Sequence, residues 1–241
     1  MAAYDYDLDT AQPPRLGMVV LQTDEQLERD FRQLIPSDVA LYVSRVPSGA
    51  EVSPESLQEM ETHLEAAAGL LPAAYPFRAV GYGCTSGTAQ IGSDRIAELV
   101  VAGTWTQAVT EPVSALVAAC RHLGIKRLAL LSPYVENVSS RLRTVLAEAG
   151  IETPVFGSFD EAEEVKVARI HPDSIVTAAV DLAEDTNTEA LFLSCTNLRG
   201  VEAGPEIARR IGRPVLSSNL VLAWHLCQLA GVLAPELDYS E

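Results

Sequence analysis

The sequence predicts an α/β fold, in which mostly parallel β-sheet is covered by helices on both faces. Two observations carry this. Apolar runs of strand type alternate with segments of helical period along the whole chain, and Pro and Gly fall at the boundaries between them. In addition, one strand-end motif occurs twice, about half a chain apart, as expected of a duplicated unit.

Taken in order, Arg15 to Gln22 is a near-continuous apolar run and reads as a strand, followed by a helical pattern over Glu25 to Leu34. A second strand covers Val39 to Val46, and a helix runs from Pro54 to Leu71, with Ser53 before the proline as its start signal. Phe77 to Gly83 is the third strand, and Ser93 to Val101 is helical. Glu111 before Pro112 opens a helix to Leu123, and Gly124 closes it ahead of the strand Arg127 to Ser132. The helix Val135 to Ala149 ends at Gly150, and a weaker strand follows over Thr153 to Phe159. His171 before Pro172 begins a helix to Asp185, then come the strand Ala190 to Ser194 and a helix over Pro205 to Ile211. The strand Pro214 to Ser217 and the helix Leu220 to Ala230 complete the pattern.

Composition removes several function classes. With 241 residues, 48% of them hydrophobic, the chain can bury a core of its own as one large domain or two small ones. Lys and Arg number 17 against 33 Asp and Glu, a net charge of −16, which leaves no basic stripe for nucleic acid or an anionic membrane. No apolar stretch approaches the roughly 18 residues needed to span a bilayer, and the acidic start lacks a basic n-region, so a soluble, cytoplasmic protein is expected. Only Gly81 and Gly83 give a G-x-G, there is no phosphate-binding G-x-x-x-x-G-K-[ST], and the two lysines, Lys126 and Lys166, lie outside any Gly-rich cradle. Four cysteines at 84, 120, 195 and 227, with no C-x-x-C, and four scattered histidines form neither a disulfide scaffold nor a zinc motif. No cofactor or metal is expected.

The repeated motif carries the chemistry. Phe77-Arg-Ala-Val-Gly-Tyr-Gly-Cys84-Thr-Ser-Gly and Ala190-Leu-Phe-Leu-Ser-Cys195-Thr-Asn-Leu are apolar strands that end in Cys-Thr and a small polar residue. Ligands bind beyond the carboxyl ends of parallel strands, so a separation of 111 residues lets each half present one cysteine across a cleft. A thiol near helix N–H groups is expected to have its pKa lowered toward neutrality. Two such thiols on opposite faces of a substrate can remove a proton from carbon and return it, or add to a double bond. The hydroxyls of Thr85, Ser86 and Thr196 and the amide of Asn197 are candidate donors to a carboxylate or enolate. Cys120 and Cys227 lie in apolar helical patterns and are expected to be core. Arg45 and Arg199 read as paired or solvated, His225 as a core histidine, and Ser218 or Asn219 as the cap of the last helix.

With Gly83-Cys-Thr-Ser-Gly-Thr88, Leu193-Ser-Cys-Thr-Asn-Leu-Arg199 and Gly212-Arg-Pro-Val-Leu-Ser-Ser-Asn219 followed by Trp224-His225, the chain resembles the aspartate/glutamate racemase superfamily. Within it, the chain is similar to the branch of maleate cis-trans isomerases, arylmalonate decarboxylases and the EutA-like proteins of ectoine utilisation. The resemblance runs from Arg15 to Val232. It implies two pseudo-symmetric doubly wound parallel-sheet domains, residues 15–111 with 217–234 and residues 112–216, with the active site in the cleft between them. It further implies a homo-oligomer, dimer or larger, and Cys84 and Cys195 as the catalytic pair. In the isomerases the first cysteine attacks the double bond to give a succinyl-like intermediate, whereas in the racemases the pair trades an α-proton. Decarboxylases typically keep only the second cysteine, so Cys84 argues against decarboxylation. Tyr134 in Leu131-Ser-Pro-Tyr134 matches a tyrosine that contacts a substrate carboxylate or the intermediate.

Two positions depart from the isomerases. Where those carry a substrate-contacting asparagine after the first strand, this chain has Leu21-Gln-Thr-Asp24-Glu, and a second asparagine falls near Glu164. Asp24 either meets a cationic group of the substrate or caps the following helix. Gln22-Thr-Asp24 is similar to the Ala-Thr-Asp of EutA-like proteins, which implies a nitrogen-bearing acid such as a diaminobutyrate derivative. The expected activity is a cofactor-independent isomerase or racemase of a small carboxylate or amino acid; a small-acid-binding relative without turnover and a malonate-type decarboxylase are the alternatives.

Overall fold

The computed structural model describes residues 1–237 and 239. The first half runs β1 (Arg15–Leu21), α1 (Leu27–Leu34), β2 (Ala40–Val46), α2 (Pro54–Glu59), α3 (Glu61–Ala68), β3 (Ala79–Gly83), α4 (Thr85–Ile91), α5 (Ser93–Gly103) and β4 (Val109–Thr110). The second runs α6 (Pro112–Leu123), β5 (Arg127–Ser132), α7 (Glu136–Glu148), β6 (Glu152–Ser158), α8 (Glu164–Val167), α9 (Pro172–Leu182), β7 (Ala190–Leu193), α10 (Gly200–Ile211), β8 (Val215–Ser217) and α11 (Ser218–Ala230).

The strands form two four-stranded sheets of equivalent order, β2-β1-β3-β4 and β6-β5-β7-β8, with every neighbouring pair parallel. Central strands are buried on both faces: β1, β3 and β7 are buried at every position. That is why they read as unbroken apolar runs. Fully buried Leu128, Phe192, Leu16 and Phe31 each contribute about 1.5–3 kcal/mol of burial. After β8 the chain crosses back, and α11 packs on β3, α1 and α6. Cys120 and Cys227 are buried among the apolar side chains of α6 and α11.

Several boundaries differ from the sequence reading. The helix expected over Pro54 to Leu71 is two, meeting at Met60, where the His63 N–H turns to the Met60 carbonyl in a tighter i→i−3 bond. The helix expected to open at Pro205 opens at Gly200 and carries Pro205 inside, at the loss of one backbone bond. Helix α4 was unforeseen because Thr-Ser-Gly-Thr has poor helix propensity; tertiary burial and the cap at Cys84 override it. The Thr110 hydroxyl and His225 Nδ1 lie 2.7 Å apart, which joins β4 to α11.

The two halves meet where their strands end. Between β2 and α2, residues 50–52 pair antiparallel with residues 162–164, through Val52 N–H to Ala162 O (2.9 Å) and Glu164 N–H to Ala50 O (3.0 Å). This strap joins the two halves. Among the described residues no helix is long and apolar enough to cross a membrane.

Candidate active site

Each half delivers its cysteine from the end of an equivalent strand. Cys84 follows β3 and Cys195 follows the equivalent strand β7. Cys84 Sγ accepts the Gly87 N–H at 3.1 Å, and Cys195 Sγ accepts the Asn197 N–H at 3.3 Å. Glycine is required at 87, since a Cβ there would lie 2.6 Å from the Tyr82 hydroxyl and 2.9 Å from Cys84 Sγ. Cys195 is held at φ 109°, a conformation that costs a non-glycine residue on the order of 1–3 kcal/mol and that surrounding bonds must maintain.

Ser218 is one of those bonds. Its hydroxyl oxygen accepts the Cys195 N–H (3.0 Å) and the Thr85 hydroxyl (2.8 Å), tying one half-site to the other. The expectation that Ser218 or Asn219 caps the last helix is corrected. Ser217 caps it, accepting the Leu220 N–H at 3.2 Å, while Asn219 donates to Asp30 (2.7 Å) and the Thr196 carbonyl (2.8 Å). Ser217, the last residue of β8, is the one still extended when the helix begins, which is what distinguishes the three.

Asp24, Cys84, Thr85, Ser86, Tyr134, Glu164, Cys195, Thr196 and Asn197, together with Leu21, line one enclosed cavity of about 10 Å³. That volume is room for about one water. Tyr134 extends from the turn after β5, its backbone held by the hydroxyls of Ser132 and Ser158. Its hydroxyl donates to Glu164 Oε1 at 2.7 Å and lies 2.9 Å from Cys195 Sγ. Glu164 stands in the first turn of α8, and its Oε2 accepts the Asn197 amide at 2.7 Å. Asn197 Oδ1 accepts the Glu25 N–H at 2.9 Å, so the amide foreseen as a substrate donor is committed to protein partners. Thr196 donates to the Gly83 carbonyl at 3.2 Å.

Asp24 is both a cap and a lining group. Its Oδ1 accepts the Gln26 and Leu27 N–H groups at 2.8 and 2.7 Å, whereas its buried Oδ2 has no donor among the described residues. Arg45 donates to the Leu21, Gln22 and Asp24 carbonyls and pairs with Glu28; it does not line the cavity, although its charge acts on Asp24. Arg199 pairs with Glu202.

Burial dominates the electrostatics. It pushes Cys84 up to about 12 against the Gly87 N–H, with the charges of Glu164 and Asp24 adding to the rise. Cys195 is pushed well above the usual thiol range by burial and then by Glu164. The expected lowering toward neutrality is therefore overturned: one N–H contact is outweighed by desolvation and two neighbouring acids. Burial also raises Asp24 and Glu164, in the latter case against the hydrogen bonds from Tyr134 and Asn197.

Two pseudo-equivalent parallel sheets, each ending in a cysteine at a shared cavity, place the protein in the aspartate/glutamate racemase superfamily, in the maleate isomerase and arylmalonate decarboxylase branch. Residues 50–236 match the arylmalonate decarboxylase family, and the chain belongs to it. Arylmalonate decarboxylase of Bordetella bronchiseptica is 32% identical over 119 residues, 49% of this chain and 50% of that relative, so this match spans about half the relative's length. Maleate isomerase of Geobacillus stearothermophilus is 23% identical over 85% of this chain and 86% of its own. A Nocardia farcinica maleate cis-trans isomerase mutant with a covalently bound succinylcysteine intermediate shares the fold at TM-score 0.79 and 22% identity, covering 92% of this chain and 97% of its own. A double mutant of arylmalonate decarboxylase in its liganded form aligns at TM-score 0.77 and 25% identity, covering 90% and 93%.

Proposed function

We propose that the protein is a cofactor-independent isomerase or racemase of a small, nitrogen-bearing carboxylic acid, with Cys84 and Cys195 as its acid and base. One observation carries the reaction class: two thiols from equivalent strand ends line a single closed cavity. In proton exchange, one sulfur takes the α-proton as the other delivers its own to the opposite face, and the Ser86 hydroxyl, which lines the cavity, is a candidate donor to the intervening enolate.

The substrate class rests on Asp24. The ten lining residues include two carboxyl groups and no cationic side chain, a poor surrounding for a dianion such as maleate. An ammonium group, by contrast, finds an acceptor in Asp24 Oδ2. The EutA-like resemblance of Gln22-Thr-Asp24 supports a diaminobutyrate derivative as the first compound to try.

Family membership supports a second reading, decarboxylation of a malonate-type acid at Cys195. Cys84 and the two lining acids weigh against it.

NMR in deuterium oxide with free and N-acetylated diaminobutyrate, other amino acids, maleate and an arylmalonate discriminates these. The expected result is α-deuteration or isomerisation of a nitrogen-bearing acid, lost in both Cys84→Ala and Cys195→Ala. Efficient maleate turnover with no binding of diaminobutyrates would overturn the substrate class, and carbon dioxide release would establish the decarboxylase. Thermal stabilisation by a panel member without exchange would make the protein a binding relative.

A further inference from the structure

We infer that Glu164 takes the proton of Cys195 through the Tyr134 hydroxyl, so that a buried three-group relay, and not hydroxide, ionises the second thiol. This rests on the reading of Cys195 as an acid-base group. Tyr134 Oη stands 2.9 Å from Cys195 Sγ and 2.7 Å from Glu164 Oε1, and all three groups are buried. The carboxylate is fixed on its other side by Asn197 Nδ2 at 2.7 Å, and its backbone N–H is fixed by the strap at Ala50 O at 3.0 Å. Glu164 has no freedom to turn elsewhere.

The step balances. The Cys195 S–H bond breaks as Tyr134 Oη gains that proton, and Tyr134 passes its own to Glu164 Oε1. A thiol and a carboxylate become a thiolate and a carboxylic acid, with one negative charge throughout. Conservation of charge is what the site needs. An anionic Glu164 opposes a thiolate at Cys195, so direct loss of the thiol proton to solvent would leave two anions in one buried cavity. The relay removes the first charge as it creates the second. Burial also raises Glu164, making it a stronger base than an exposed glutamate.

The groups facing Glu164 are consistent with this assignment. Asp24 approaches from the turn after β1 and adds its own repulsion. Cys84, at the end of β3, accepts the Gly87 N–H and has no hydrogen-bonded path to a carboxylate among the described residues, so it stays the thiol. Glu51 lies on the bridged strap, and on α8's own segment Lys166 is held by Glu163 and Glu161. No cation among these competes for the Glu164 carboxylate.

The test reads Cys195 directly and needs no substrate: site-resolved alkylation by iodoacetamide on the whole protein, followed by mass spectrometry across pH. Alkylation follows thiolate, so a thiol ionised by solvent alone gains about tenfold in rate per pH unit below its pKa. Wild type is expected to rise through the titration of the carboxyl and then level off across neutral pH. Glu164→Gln is expected to lose the level stretch and keep rising into the alkaline range, and it is the decisive arm because it removes the proton acceptor. Tyr134→Phe removes the hydrogen bonds to both Glu164 and Cys195 and is expected to lower the level stretch without abolishing it. If all three proteins share one profile shape, Glu164 is only structural and the relay is wrong. A variant that loosens the strap alters the absolute rate but not the shape, so the comparison survives changes in access. Proton exchange that persists in Cys195→Ala would sink the reading of the site while leaving the alkylation result standing.

Discussion

Cys195 shows how much of the site depends on one hydroxyl that never touches the cavity. Its positive φ is unfavourable, and the Ser218 oxygen that accepts its N–H also accepts from Thr85 of the other half-site. Ser218→Ala would leave a buried N–H and a buried hydroxyl without their acceptor. The expected loss is about 1–3 kcal/mol in chemical denaturation, with a fall in proton exchange at Cys195; unchanged stability and exchange would show that Thr85 and Cys195 are held by other means. The sequence marked Ser217, Ser218 and Asn219 as a polar cluster at a strand end but not which of them faces which partner. That depends on a crossing of the chain from β8 back to the first sheet, a tertiary fact. The direction of the thiol shifts was illegible for the same reason. A Cys followed by a helix start displays the N–H groups that lower a thiol pKa, while the burial and the acids that raise it come from segments distant in sequence, Asp24 and Glu164 among them.

At the level of elements, the cavity follows from parallel strands of two matching sheets ending on one side. That rule made the lining residues readable, because Asp24, Cys84, Tyr134 and Cys195 all follow strand ends that apolar runs already marked. Glu164 lay in a stretch with no strand or helix pattern of its own, and only its resemblance to an asparagine position pointed to it. Helix α4 was hidden by its composition. Its weak intrinsic propensity is offset by the capping contact at Cys84 and by the Thr88 hydroxyl donating to the Cys84 carbonyl at 2.7 Å. The helix therefore stands or falls with its approach to β3. Gly87→Ala places a methyl against the Tyr82 hydroxyl, Cys84 Sγ and Met60 Cε at once, none of them on open ground. It is expected to cost about 1–3 kcal/mol in an unfolding titration and to slow exchange at Cys84, whose sulfur the added methyl crowds. An alanine variant with wild-type stability would mean that the α4–β3 approach is looser than this packing implies.

Across the whole molecule, the price of joining two halves at their strand ends is a set of acids taken out of water at the seam. Asp24, Glu164 and Asp30 are all buried there, and burial raises each of them. For Asp30 the rise is to about 6 from 3.8, against hydrogen bonds from Asn219 and Gln26 and with Asp24 adding repulsion. A carboxyl whose folded pKa lies above its unfolded value binds its proton more tightly when folded. Its stabilising contribution is full below the unfolded pKa and is lost as pH climbs through the folded one. Stability should therefore decline between about pH 4 and pH 6, by up to about 3 kcal/mol from Asp30 alone, since each tenfold gain in proton affinity on folding is worth about 1.4 kcal/mol. Surface acids act in the opposite sense: Arg209 and Arg210 hold Glu206 down to about 2, and its contribution is lost only in strong acid and is screened by solvent. The net charge of −16 pushes in the same direction as the seam, because self-repulsion grows as the acids ionise. Urea unfolding at half-unit pH steps should show higher stability near pH 5 than near pH 7, and Asp30→Asn should flatten that slope while leaving the decline from Asp24 and Glu164. A wild-type curve that instead rises steadily from pH 4 to pH 7 would show that the seam acids are ionised and solvated in the folded protein, and that the cavity is open in solution.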